Sequence, residues 1–136
     1  MIDQFELKLP PLSRGFHLVT HHIESQLKNL PEKGLVNIFI RHTSAGLTIN
    51  ENADPTVRSD MEQYFDRYVP ENEPYYDHTM EGPDDMPAHI KSTLTGSSVT
   101  IPVTNGRLNM GTWQGIYLCE FRNHSSSRIL TVTVYR

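Results

Sequence analysis

The chain has 136 residues, 37% of them hydrophobic, and a formal net charge of -4 at pH 7. A chain of this length is expected to form one domain, large enough to bury about two-thirds of the surface its unfolded form exposes. The acid excess, with a pI near 5.9, argues against nucleic acid as a partner, because phosphate-backbone binding shows as surplus base. The single cysteine, Cys119, excludes an internal disulfide framework and fits a reducing compartment. With no signal-like opening segment and no apolar run long enough for a membrane span, a cytoplasmic protein is expected.

Phe5–Leu9 alternates apolar and charged residues and reads as a strand stopped by Pro10–Pro11. Phe16–Thr20 reads as a second short strand. Thr20 then serves as N-cap of a helix reaching Leu30, with Ile23, Leu27 and Leu30 on one stripe and Pro31 beyond it. Gly34–Arg41 is an apolar, β-branched run that predicts a buried strand. Ser44–Ile49 predicts another, joined to it as a hairpin through Thr43–Gly46. Such a hairpin would carry His42 and Asn50–Glu51 to strand ends, where side chains line clefts.

Asp54–Pro55 pairs an N-cap with a proline at the first helical position. Val57, Met61, Tyr64, Phe65 and Tyr68 follow at helical spacing until Pro70. Glu71–Pro87 has no period, and a long irregular segment in a small domain points to function. A helix is expected from Asp85 or Met86 to Leu94, stopped at Gly96. Beyond Ser97 the period is two. Ser98–Val103, Gly115–Arg122 and Arg128–Tyr135 read as strands, Asn105–Gly106 as a turn and Leu108–Trp113 as a further short strand. Six to eight strands and three helices, linked by short turns, predict an α+β fold of mostly antiparallel sheet, one domain over residues 1–136.

Chemistry concentrates in Tyr76–Lys91, YDHTMEGPDDMPAHIK, which holds two histidines, four acids and a lysine. Histidine and carboxylate are the groups that bind metal ions and move protons near neutral pH. The spacing of His78 and His89 matches no established metal signature. They are either ligands, with His42 as a third, or hydrogen-bonding histidines in an acidic loop. A hard ion such as Mg²⁺ would choose Glu51, Glu81 and Asp84, whereas Zn²⁺ would choose the histidines. Asn50 and Glu51 have no evident structural task. Trp113, the only tryptophan, is either a stacking platform or a core residue beside a bulge. Cys119 reads as core. No Gly-x-Ser-x-Gly, P-loop or Rossmann pattern is present.

Three segments, HTSAGLTINENADP (His42–Pro55), DHTMEGPDDMPAHIK (Asp77–Lys91) and SVTIPVTNGRLNMGTWQGIYL (Ser98–Leu118), together resemble the YjbQ family, small proteins described as secondary thiamine-phosphate synthases. The resemblance spans essentially the whole chain and is most specific in the last segment. It implies an α+β fold with antiparallel sheets and a compact homotrimer. The family's characteristic polar positions fall on His42, Asn50, Glu51, Asp54, His78, Glu81, Asp84, His89, Lys91, Trp113, Gln114, Glu120 and Arg128. The implied reaction joins a pyrimidine diphosphate to a thiazole phosphate and releases pyrophosphate. On that reading His42, Glu51, His78, Glu81, His89 and Lys91 are catalytic, and Arg41, Asn50, Trp113, Gln114 and Arg128 bind substrate. A divalent ion, Mg²⁺ or Zn²⁺, on His42, His78 and His89 would assist the leaving diphosphate together with Lys91, Arg41 and Arg128. The expected partner is a small phosphorylated or anionic ligand, with no nucleic acid and no membrane, at a site between subunits. Two further functions fit the same residues: a metal-dependent hydrolase, and a trimeric binding protein without catalysis.

Overall fold

The computed structural model describes all residues, Met1–Arg136. In chain order the elements are β1 (Ile2–Leu9), β2 (Gly15–Leu18), α1 (Thr20–Glu24), β3 (Lys33–Ile40), β4 (Ala45–Glu51), α2 (Pro55–Tyr68), α3 (Asp85–Thr95), β5 (Ser98–Thr104), β6 (Arg107–Leu108), β7 (Gln114–Glu120) and β8 (Arg128–Tyr135). They form an antiparallel five-stranded sheet, β1-β8-β3-β5-β6, and an antiparallel three-stranded sheet, β2-β7-β4. The expected α+β class is the observed one.

Alternation explains how the layers stack. Leu7 and Leu9, Val36, Ile38 and Ile40, Ile101 and Val103, and Leu130, Val132 and Val134 occupy every second position of their strands. Side chains two apart share a face, so the larger sheet turns one apolar face inward. There it meets Ala45, Leu47, Ile116 and Leu118 of the smaller sheet. The opposite face of the smaller sheet is apolar too. Phe16, Tyr117 and Cys119 pack with Phe121 and with Ala88 of α3, while Met61 and Phe65 of α2 close over them. Both faces of β7 are therefore covered, which is why its sequence is almost continuously apolar. The order of layers is large sheet, small sheet, then α2 and α3.

Local signals held where the cause is local. Asp54 caps α2, its Oδ1 accepting the Thr56 N–H at 2.9 Å. Gly96 ends α3 with φ 103°. Asn105 and Gly106, with φ 53° and 75°, turn β5 into β6. Three expectations are corrected. Ser44–Ile49 makes no hairpin with its predecessor: β3 lies between β8 and β5, leaving it no free edge, and β4 pairs with β7 in the other sheet. The first helix ends at Glu24 instead of reaching Leu30, and Thr20 does not cap it, because its hydroxyl accepts the Ile116 N–H at 2.9 Å. The strand expected over Leu108–Trp113 ends at Leu108. No helix is long and apolar enough to cross a membrane.

Candidate metal centre at the start of α3

Asp85 opens α3, and His89 stands four residues on, one turn along the same face. His89 Nε2 lies 3.0 Å from Asp85 Oδ2. His78 reaches the same oxygen from the preceding loop at 2.7 Å, and its Nε2 also lies 2.8 Å from Glu81 Oε2. His78, Asp85 and His89 each offer a ligand atom, all within 4.8 Å of one another. The two imidazoles are tilted by 58° with centroids 5.2 Å apart.

The outer contacts of these groups fix how they present themselves. His89 Nδ1 lies 2.9 Å from the Thr43 carbonyl, which can only accept, so Nδ1 carries the proton and Nε2 faces Asp85. Nε2 is thereby the nitrogen left to face a cation. Asp85 is 3% exposed. Its second oxygen, Oδ1, accepts from Arg122 Nη1 at 2.5 Å. Burial pushes the Asp85 carboxyl upward, but the hydrogen bond from His78 and the charges of His89 and Arg122 outweigh it and hold the group below the usual carboxylate range. Arg122 also donates from Nε to Asp84 Oδ2 at 2.9 Å and from Nη2 to the Glu81 carbonyl at 2.9 Å. Its hydrogen bond to Asp84 is the main influence raising its own pKa.

Two imidazoles and one monodentate carboxylate suit Zn²⁺ or a similar borderline ion far better than Mg²⁺, which wants an octahedron of oxygens. A tetrahedral ion with bonds of about 2.0–2.1 Å to nitrogen holds its ligand atoms about 3.3 Å apart. The present separations of 2.7 and 3.0 Å from Asp85 to the two rings would open by about 0.6 and 0.3 Å to admit one. His78 alone of the three borders a cavity of about 370 Å³ lined also by Glu73, Tyr76, Thr79 and Pro83.

The remaining candidates lie elsewhere. His42 is outside the cluster: its Nε2 accepts the Ile129 N–H at 2.8 Å, so its lone pair is taken. Burial and the charge of Arg128 keep its pKa below 6.5. Lys91, two residues past His89 and so on the other side of α3, is 1% exposed and donates to Asp66 Oδ1 at 2.7 Å. Its Nζ stands 5.8 Å from the centre of the Phe121 ring. Arg128 pairs with fully buried Glu120 through bonds of 2.7 and 2.5 Å and donates to Ser44 Oγ at 3.0 Å. Arg41 pairs with Glu6.

Asn50, Glu51, Trp113 and Gln114 gather at the opposite end of the small sheet. Ala45 pairs with Glu120 at one end of β4 and Glu51 with Gln114 at the other, about 20 Å away at the usual rise of a strand. Glu51 Oε2 accepts the Asp54 N–H at 3.2 Å, and Gln114 Oε1 accepts the Gly111 N–H at 2.8 Å. Trp113 is not core: it is 65% exposed, on a turn whose carbonyls at Thr112 and Gln114 accept from Asn52 Nδ2 at 3.2 and 3.1 Å. A groove of about 390 Å³, lined in part by His21, Asn52 and Gln114, runs beside it.

Sequence reasoning left Asp85 and Arg122 off the candidate set. Asp85 had a usable signal, its helical spacing to His89. Arg122 had none, since its partners are about forty residues away in sequence.

The family model described as UPF0047 protein YjbQ-like matches residues 5–136. The chain belongs to the YjbQ family. It is similar to UPF0047 protein YjbQ of Escherichia coli O157:H7, with 53% identity over 133 residues and 96% of each chain covered. It is similar also to UPF0047 protein YugU of Bacillus subtilis, 48% identical over 105 residues, 76% of each chain. Among solved structures, a YjbQ/UPF0047 family protein of Clostridium acetobutylicum superposes with TM-score 0.81 at 38% identity, covering 96% of this chain and 98% of that one. A conserved hypothetical protein of Thermus thermophilus gives TM-score 0.82 at 35% identity, covering 93% and 97%.

Proposed function

We propose that this YjbQ-family chain is a divalent-metal-dependent enzyme of the hydrolase type, with His78, Asp85 and His89 as ligands of a Zn²⁺-like ion. The observation that carries it is the convergence of the three groups on one point, with the His89 proton committed to the Thr43 carbonyl. An ion held there supplies a Lewis acid that polarises a carbonyl or phosphoryl oxygen and acidifies water. Glu81 is the base in this reading. Its exposed carboxylate lies 2.8 Å from His78 Nε2, close enough to take a proton from a water attacking beside the ligands. The cavity next to His78 gives the substrate room. The elemental content of freshly purified protein tests the proposal. About one equivalent of zinc or a similar ion per chain is expected, with loss of both ion and hydrolysis of activated esters in His89→Ala. A metal-free protein that takes up no ion on titration overturns it.

The synthase that the resemblance implies is the second reading, and it needs more than one chain. Lys91, Arg41 and Arg128, the cations it assigns to the diphosphate, are paired with Asp66, Glu6 and Glu120. Its candidate residues are divided between two ends of the small sheet. A homotrimer that sets the His78–His89 end of one subunit against the Trp113 end of the next would rejoin them, and the exposure of Trp113 supports that arrangement. Mixing His89→Ala with Glu51→Ala subunits tests it. Thiamine phosphate formed by the mixture, but by neither variant alone, is the expected result; an inactive mixture removes the shared site. Residence in the cytoplasm remains part of the proposal, supported by a lone, buried, unpaired cysteine.

A further inference from the structure

Arg122 enters from just beyond the end of β7 and grips the base of the ligand set at three points. It donates to Asp84 Oδ2 at 2.9 Å, to Asp85 Oδ1 at 2.5 Å and to the Glu81 carbonyl at 2.9 Å. The backbone that delivers it is fixed in turn. Buried Glu120 accepts the N–H groups of Phe121 and Arg122 on Oε2, at 3.0 and 3.1 Å, while Arg128 neutralises its charge. The next residue, Asn123, gives its own N–H to Asp84 Oδ2 at 2.9 Å.

The consequence is a division of labour within one carboxylate. Asp85 Oδ1 belongs to Arg122, and only Oδ2 faces the two imidazoles. Asp84, the other buried acid of the pair, is tied through its Oδ2, which accepts from both Arg122 Nε and the Asn123 N–H. Resting on the metal-centre reading, we infer that Arg122 is a positioning and metal-selecting residue: it holds Asp85 monodentate and anchors Asp84 by its Oδ2, so that the site takes a small ion with nitrogen-rich, low coordination in preference to Mg²⁺ or Ca²⁺. Those hard ions take six or more oxygens, with carboxylates that can bind through both atoms. Outer groups of this kind orient ligands and commonly change metal affinity 10–100-fold when lost. Lysine cannot replace the planar fork at three acceptors.

Titration of metal-free protein with Co²⁺, followed by the visible absorption of the bound ion and then by Mg²⁺ competition, tests the assignment. Wild type is expected to bind Co²⁺ with a low-coordinate spectrum that Mg²⁺ does not displace. Arg122→Gln is expected to bind Co²⁺ about 10–100-fold more weakly, with shifted bands and a Co²⁺-to-Mg²⁺ preference reduced at least tenfold. Arg122→Lys should fall between the two. A merely structural arginine would lower the melting temperature and leave band positions unchanged. Wild-type affinity and spectrum in Arg122→Gln overturn the inference and leave the metal centre standing. Absence of Co²⁺ binding by wild type, or undiminished binding by Asp85→Ala, overturns both. Should Arg122→Gln fail to fold, Arg122→Lys decides alone: an unchanged spectrum and preference refute the role.

Discussion

At the residue scale, His42 and Arg128 show how chemically suggestive side chains are consumed by architecture. The neutral ring of His42 accepts the Ile129 N–H, and a protonated ring has no lone pair to offer. Its pKa lies below 6.5 in the folded chain, so just below pH 6.5 the unfolded chain binds more protons than the native one. The His42 contribution is then complete above pH 6.5 and is lost as pH falls through the lowered folded value. Melting curves from pH 7 to 5 should therefore decline more steeply for wild type than for His42→Gln, whose amide oxygen can take the same bond; parallel curves would contradict this. Arg128→Met should cost about 3–5 kcal/mol in denaturant unfolding, because Glu120 is left charged in a fully buried position. A cost near zero would mean that the backbone amides of Phe121 and Arg122 satisfy that carboxylate unaided. Residue type alone singled out His78 and His89, and the fold brings both to the same Asp85 oxygen. It could not show that His42, Lys91 and Arg128 are engaged by a distant amide or acid, because nothing local reveals those partners.

At the element scale, helices α2 and α3 were legible because their stops and starts are written beside them, as an Asp–Pro start for one and a terminal glycine for the other. The β3–β4 relation was not legible. Whether two consecutive strands pair depends on which other strands compete for their edges, and β8, from the far end of the chain, takes the place beside β3. The absent cap of α1 had a similar cause: the Thr20 hydroxyl serves β7 instead of the helix start. The seating of α3 on β4 offers a direct test. A Cβ added at Gly46 would stand 2.0 Å from Thr95 Oγ1 and 2.9 Å from the Gly96 carbonyl, so the end of α3 would have to move. We expect Gly46→Ala to lose about 1–3 kcal/mol of stability, as overpacked sites do, and to loosen ion binding at the other end of the same helix. Unchanged melting would show that Thr95 rotates away freely.

At the scale of the whole molecule, the three layers leave one broad face uncovered. Ile2, Leu35, Phe39 and Tyr135 on the outer side of the large sheet are 60%, 44%, 45% and 43% exposed. The helices cover only the small sheet, and α2 itself buries no residue fully. The homotrimer proposed above should appear as a particle of three times the 15.6 kDa chain mass in sedimentation equilibrium, and a single-chain mass would count against it.

The segment joining β3 to β4 ties these scales together. His42 is bound to β8 of the large sheet, and the Thr43 carbonyl receives both His89 Nδ1 and, at 2.8 Å, the Ser92 hydroxyl of α3. One short strap thus spans both sheets and steers an imidazole. Any slippage of one sheet over the other turns that ring off its target, so ion grip becomes a gauge of how well the two halves of the molecule are in register.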